Sequence, residues 1–225
     1  MKVRLIRHAE SAANAGLPTT CPDAIPLTDL GNLQAEKLAA SITEAPDLII
    51  SSPFERALFT ARPTALRFPE VSVEVWQVEE VTYLSPERFA GTTQAERKPA
   101  AGDYWRMADA MAVDGPRAES FAQLLGRAQS TLDRLSGLDV ENVVVFSHGQ
   151  FIRAAAWLIK HGKAANEPGH MREFRRLDTQ VPMANCTSYE LEFMNGWWQV
   201  EYELTIEGVR FIDQFCNDQA YAPYP

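Results

Sequence analysis

The sequence is poor in cysteine, in basic charge and in long apolar runs, and each shortage removes a class of protein. Its three cysteines, Cys21, Cys186 and Cys216, are odd in number and widely spaced, which argues against a disulfide framework and against a Cys-x-x-Cys metal or redox site. A reducing cytoplasm is the expected location. Lys and Arg number 21 against 30 Asp and Glu, for a formal net charge of -9. Nucleic-acid backbones require clustered cations, so no nucleic-acid partner is expected. No stretch approaches the roughly 18 uninterrupted apolar residues of a membrane span, and the longest comparable run, Asn142 to Ser147, has the length of a strand. No membrane association is expected. Met1-Lys2 passes directly into Val3-Arg4-Leu5-Ile6, so a secreted protein is not expected.

What remains is an ordinary globular composition, 46% hydrophobic and 23% charged over 225 residues, enough for one sizeable core. Short β-branched runs alternate with segments of helical period, the pattern of βαβ units. Lys2 to Arg7, Asp47 to Ser52, Val71 to Trp76 and Asn142 to Ser147 are continuously apolar enough to predict buried parallel strands, the first of them central. Helices are predicted from Thr28 to Ile42, after a Ser52 cap with Pro53 at the first helical position, from Glu119 to Leu135, and from Gln150 to about His161. Leu33, Leu38 and Ile42, and Ala57, Leu58 and Ala61, are the expected core-facing stripes of the first two. Thr187 to Phe193 and Trp197 to Thr205 flank Asn195-Gly196, a hairpin signal that adds antiparallel strands near the C-terminus. The expected fold is therefore α/β, a three-layer αβα sandwich with a mainly parallel mixed sheet. A single domain is expected over 1–225, with a lid or small subdomain at about 82–116. Tyr83, Tyr104 and Trp105 are expected to form that segment's own small core.

The chemistry gathers at strand ends. The first strand ends in Arg7-His8, the second is followed by Arg56 on the first turn of a helix, and the fourth ends in Ser147-His148-Gly149. In an open α/β sheet the crevice at the carboxyl ends of strands is where ligands bind. Taken singly, Arg7-His8 is a surface pair, Arg56 a solvated helix residue and His148 a turn histidine. Together they supply what a phosphoryl group needs: bidentate cationic donors and an imidazole nitrogen that attacks phosphorus without a separate base. The other imidazole nitrogen needs an acceptor that fixes the tautomer. No His-x-x-x-His or His-Glu-x-x-His spacing occurs, and flanking arginines repel a divalent cation. Neither a metal nor any other cofactor is expected.

Leu5-Ile6-Arg7-His8-Ala9-Glu10-Ser11-Ala12-Ala13-Asn14 resembles the signature of the histidine phosphatase superfamily, which includes the cofactor-dependent phosphoglycerate mutases. Pro26-Leu27-Thr28-Asp29-Leu30-Gly31, Ser51-Ser52-Pro53-Phe54-Glu55-Arg56-Ala57 and Val144-Val145-Phe146-Ser147-His148-Gly149 resemble later blocks of the family in the same order. The resemblance implies a phosphoglycerate mutase-like fold, His8 as the phosphorylated residue, and Arg7, Arg56 and His148 around the phosphoryl group. It further implies Asn14, Ser11, Thr20 and Gly149 as substrate contacts, and a carboxylic acid in Val78-Glu79-Glu80-Val81, with Glu80 preferred and Glu79 the alternative. Adjacent residues of an extended chain point opposite ways, so only one faces the crevice. That acid is expected to have a raised pKa.

Ala9 departs from the family's usual glycine, and Gly115 to Ser120 matches a family turn only loosely, so Glu119 is left outside the site. The 82–116 segment offers Arg88, Arg97, Lys98 and Arg106 without a mutase-like block. The expected activity is hydrolysis of a small phosphorylated metabolite through a phosphohistidine. Mutase-type transfer is the alternative, and a non-catalytic phosphate-binding module the third reading.

Overall fold

In the computed structural model, which describes residues 1–204 and 210–211, the run Val3-Arg4-Leu5-Ile6 lies in β1 (Lys2–Arg7), the middle strand of the sheet. The chain continues through α1 (Asp29–Ser41), β2 (Leu48–Ser51), α2 (Glu55–Arg67), β3 (Ser72–Val75), α3 (Gln94–Met107) and α4 (Phe121–Ser136). It then forms β4 (Asn142–Ser147), α5 (Gly149–His161), α6 (Pro168–Gln180), β5 (Ser188–Met194), β6 (Trp197–Leu204) and β7 (Arg210–Phe211). The sheet order is β3-β2-β4-β1-β5-β6-β7. β1, β2, β3 and β4 are mutually parallel, and β5, β6 and β7 add antiparallel pairings on the other side of β1. Cys216 and the expected strand end at Thr205 lie outside the described residues.

Both faces of the parallel part are covered, which is why its central strands are almost uninterrupted apolar runs. Val3, Leu5, Ile50, Val143 and Val145 face the core shared with α4 and α5. Ile6, Ile49, Val144 and Phe146 face Ala35 and Leu38 of α1 and Ala61 of α2. This is the three-layer αβα sandwich. β3 is different: it is an edge strand, and Val73 and Val75 are 49% and 56% exposed, so the prediction of a buried strand there fails. The hairpin turn forms at Asn195 (φ 55°) and Gly196 (φ 84°), and two successive positive φ values are what a type I′ turn demands.

Two helix faces differ from the sequence prediction. Leu33 and Leu58 are exposed, because α1 and α2 pack closely through the small residues Gly31, Ala35, Ala39, Ala57, Thr60 and Ala61. Thr28 caps α1 as predicted, its hydroxyl accepting from the Gly31 N–H at 3.0 Å. Ser52, by contrast, does not cap α2. That helix starts at Glu55 with Phe54 as its N-cap, and Ser52 closes the preceding turn by accepting the Phe54 N–H at 3.1 Å. Helix α4 begins after Ser120, which with Gln123 forms a capping box, so Glu119 lies outside it.

Residues 82–116 contain α3, opened by a Thr93–Glu96 capping box. Its aromatics are not a separate core. Tyr104 and Trp105 contact Tyr83, and Trp105 packs on Phe121 of α4 and Phe174 of α6, joining the main core.

The start of α1 also anchors the loop after His8. The Glu10 carbonyl accepts from the Thr28 N–H at 3.0 Å, and Thr28 Oγ1 donates to Glu10 Oε1 at 2.7 Å. A Cβ at Gly31 would overlap that same Glu10 carbonyl oxygen and sit 3.2 Å from Leu27 Cβ. Neither neighbour is the end of a flexible side chain, so backbone must move. Gly31→Ala is expected to destabilise the protein by about 1–3 kcal/mol, measured as a lowered urea midpoint at unchanged m. No shift in the midpoint would show that the α1 start is not the anchor. Among the described residues, no helix is long and apolar enough to cross a membrane.

Candidate active site

Parallel pairing brings three carboxyl strand ends to one edge. Arg7 lies opposite Ser147 and Ser51 opposite Phe146, so His8, Ser52 and His148 each stand one residue past their strand. The His8 N–H donates to the Ser147 carbonyl at 2.9 Å and the Ser52 N–H to that of Phe146 at 2.9 Å. His8 lines a cavity of about 550 Å³ together with Arg7, Arg56 and Glu80, whereas Ser52 and His148 are fully buried and do not line it.

His8 is buried. Its Nδ1 contacts the Ala9 carbonyl at 2.7 Å, which makes Nδ1 the protonated nitrogen and puts the ring's lone pair on Nε2. Ala9 is the tautomer-fixing acceptor, through its backbone, and its own N–H donates to Thr60 Oγ1 at 2.9 Å. Arg56 Nε donates to His8 Nε2 at 3.2 Å, and Arg56 Nη1 donates to the Pro22 carbonyl at 2.6 Å. Burial first, and the Arg56 and Arg7 charges after it, hold the His8 imidazole well below its ordinary pKa, so it is neutral. Burial likewise lowers Arg56 to about 10, still charged at neutral pH. Arg7 Nη1 donates to the Met183 carbonyl. Gly149 lies behind Arg7, where a Cβ would stand 3.7 Å from Arg7 Nε, and the neighbouring Gln150 lines the cavity instead.

His148 lies fully buried beneath the crevice, its ring centroid 5.1 Å from that of His8. Burial and the Arg56 charge keep it neutral. Its Nε2 is 2.8 Å from Ser52 Oγ. Ser52 Oγ already accepts the Phe54 N–H, and donating to Nε2 satisfies its own hydrogen. That assignment leaves His148 with a hydrogen on Nδ1, a buried atom with no partner among the described residues. The His148 Nδ1 hydrogen is thus an orphaned buried donor close to His8, on a residue that does not itself line the cavity.

The adjacent glutamates part as the extended chain requires. Glu80 lines the cavity and accepts the Gln150 N–H at 3.2 Å, whereas Glu79 does not line it, bordering only a second crevice that Glu80 also touches, and lies 3.7 Å from Arg127. Burial pushes the Glu80 carboxyl pKa up, against the pull of Arg56 and with a smaller push from Asp178. Glu119 also binds Arg127, at 2.7 Å, outside the site. Ser11 is buried and spends both its N–H and its hydroxyl on Asn14 Oδ1, at 3.2 and 3.0 Å. Asn185 Nδ2 donates to the same oxygen at 3.1 Å and to the His8 carbonyl at 2.9 Å. Asn14 is thereby held with its amide hydrogens as the group left for the cavity. Thr20 is exposed on the cavity wall.

Sequence reasoning misses several supports. The carbonyls of Ala9, Pro22 and Met183 carry no side-chain signal at all. Asn185 and Asp178 are far from the rest of the site in the chain, and Asp178 sits on α6, a helix without a side-chain cap. Ser52 is legible only as a cap. Among the described residues, no group of three or more His, Cys, Asp or Glu is gathered as metal ligands.

An α/β fold with imidazoles, arginines and a carboxyl converging on one strand-end crevice defines a phosphoryl-handling enzyme. The model of the histidine phosphatase superfamily (branch 1) matches residues 3–203, and the chain belongs to that family. No curated protein matches the sequence. Among solved structures it is similar to the product of a Mycobacterium tuberculosis open reading frame, Rv3214, at 27% identity and a TM-score of 0.63, over 88% of this chain and 94% of that one. It is also similar to a histidine-to-alanine mutant of Entamoeba histolytica phosphoserine phosphatase bound to phosphoserine, at 25% identity and 0.69, over 90% and 95%. A mycobacterial glucosyl-3-phosphoglycerate phosphatase shares the fold at 23% identity and 0.67, over 88% and 96%.

Proposed function

We propose that this phosphatase hydrolyses a small phosphorylated metabolite through a phosphohistidine on His8, without a metal. Phosphoryl oxygens would lie on Arg7, Arg56 and the free Nδ1–H of His148, with Asn14 as a further donor. His8 Nε2 attacks phosphorus, the bond from phosphorus to the ester oxygen breaks, and Glu80 gives its proton to that oxygen. The Glu80 carboxylate then takes a proton from water as the water oxygen attacks phosphorus and the P–N bond breaks. This returns His8 neutral and Glu80 protonated.

The observation that carries this reading is the state of His8: Nδ1 is bonded to the Ala9 carbonyl, and Nε2 is unprotonated beside Arg56 in the crevice. The phosphatases among the similar structures support hydrolysis over mutase transfer, and the widely spaced cysteines support a cytoplasmic enzyme. The test is rapid quench with 4-nitrophenyl phosphate, and separately with 3-phosphoglycerate plus 2,3-bisphosphoglycerate. Acid-labile, base-stable phosphate should appear on the protein, with nitrophenol released over many turnovers. Turnover confined to the second mixture would make it a mutase, and neither would make it a binding module.

A further inference from the structure

The cavity is far more cationic than the chain that forms it. Its wall carries Arg7, Arg56, Arg97, Lys98 and Arg175, and among the described residues Glu80 is the carboxylate that faces them, in a protein of net charge -9. Arg7 and Arg56 are accounted for by a dianionic phosphoryl group at His8. Arg175 is offset by Asp178 at 2.7 Å and lies over the Trp105 ring. Of the other cations noted in the 82–116 segment, Arg88 pairs with Asp114 at 2.5 Å and Arg106 with Asp103 at 2.7 Å. Neither reaches the cavity wall.

Arg97 and Lys98 are left over. Arg97 is half-buried and held in place by oxygens that carry no charge: its Nη1 donates to the Thr92 carbonyl at 2.7 Å, to Thr92 Oγ1 at 3.1 Å and to Thr19 Oγ1 at 3.3 Å. The neighbouring Glu96 is turned to the Thr93 cap. Lys98 makes no ion pair among the described residues. The volume of about 550 Å³ is that of a site for a whole organic ligand, and the wall also includes Tyr83, Leu84 and Phe89, which fit a carbon body. A half-buried guanidinium fixed by neutral acceptors and facing a cavity is a ready fork for an anion.

We infer that Arg97 and Lys98, on the cavity side of α3, form a second anion subsite. The substrate is accordingly a phosphomonoester whose leaving group bears a carboxylate or a further phosphate. This deepens the phosphatase reading and rests on it for the place of the first phosphoryl group. The test begins with binding, which needs no turnover: calorimetric titration of the protein with propylphosphonate, 3-phosphonopropanoate and propane-1,3-bisphosphonate. The two ligands with a second anionic group should bind roughly tenfold tighter than propylphosphonate, and the tighter of the two identifies the second group as carboxylate or phosphate. The preference should shrink to within about twofold in an Arg97→Gln, Lys98→Gln double variant and in Lys98→Gln should fall part of the way, since each charge-assisted contact contributes separately. Because Arg97 also ties Thr92 to Thr19, Lys98→Gln on the exposed mouth keeps the test valid if the double variant fails to fold.

Equal affinity of the three ligands, or a preference untouched by Lys98→Gln in a folded protein, would overturn the subsite. The matched turnover pair is 3-phosphoglycerate and glycerol 3-phosphate. If both phosphonate preferences hold and neither ester is hydrolysed in the absence of bisphosphoglycerate, the subsite stands and the phosphatase reading falls. If both esters are hydrolysed equally well, the phosphatase reading stands and the subsite falls.

Discussion

Replacing His8 by alanine should lower kcat/KM on every phosphomonoester by roughly 10⁴-fold or more and leave no acid-labile phosphate on the protein. The size of the loss follows from the lack of a substitute. Ser11 is committed to Asn14, His148 is buried below the crevice, and the Cys21 thiol on the cavity wall is pushed up in pKa by its hydrogen bond to Asp23. A raised thiol pKa means less thiolate and a poorer nucleophile. Removal of the ring also leaves the buried Arg56 Nε without its acceptor, a cost of about 1–3 kcal/mol. His8→Asn is therefore the companion variant, since it can restore an acceptor and should stay both folded and inactive. Near-native turnover in either variant would end the phosphohistidine mechanism.

The parts of this protein that sequence makes visible are those where a residue's chemistry and its local pattern coincide. The central parallel strands are legible because burial on both faces imposes β-branched runs. Edge strand β3 is misjudged, since Val73 and Val75 carry the same composition without the burial. Arg7, His8, Arg56 and His148 are legible because each stands at a predicted strand end or helix start, and strand order then brings those ends together.

Helix faces are harder. α1 and α2 bury alanine, glycine and threonine so that backbones approach closely, and a pattern that ranks leucine above alanine selects Leu33 and Leu58 instead. α3 is hidden by Pro99 in its interior, although Thr93 and Glu96 spell its capping box. α6 is hidden by a start that offers only Pro168. The least legible features are carbonyl oxygens. Nothing in alanine at position 9, proline at 22 or methionine at 183 announces that its backbone will hold an imidazole or a guanidinium; only the folded path of the chain decides that.

Glu80→Gln separates the acid from the nucleophile. Glutamine keeps the acceptor oxygen for the Gln150 N–H but has no proton to give. Alkyl phosphates, whose leaving oxygens need that proton, should lose roughly 10²- to 10³-fold in kcat/KM. 4-Nitrophenyl phosphate, which departs as a stable anion, should lose far less. The pH profile carries the same assignment. Glu80 acts in its protonated form, and burial raises its pKa, so activity should fall as pH rises through that value, and this alkaline limb should vanish in Glu80→Gln. The acid limb belongs to His8, whose lowered pKa places it well below 6.5, and should be unmoved.

Stability provides a check independent of turnover. With a folded pKa raised above its unfolded value, Glu80 binds more protons in the native state. Wild type should therefore lose stability relative to Glu80→Gln as pH rises from about 4.5 through the raised pKa. An equal kinetic loss on both esters, or an alkaline limb that survives the substitution, would remove Glu80 from the proton transfer.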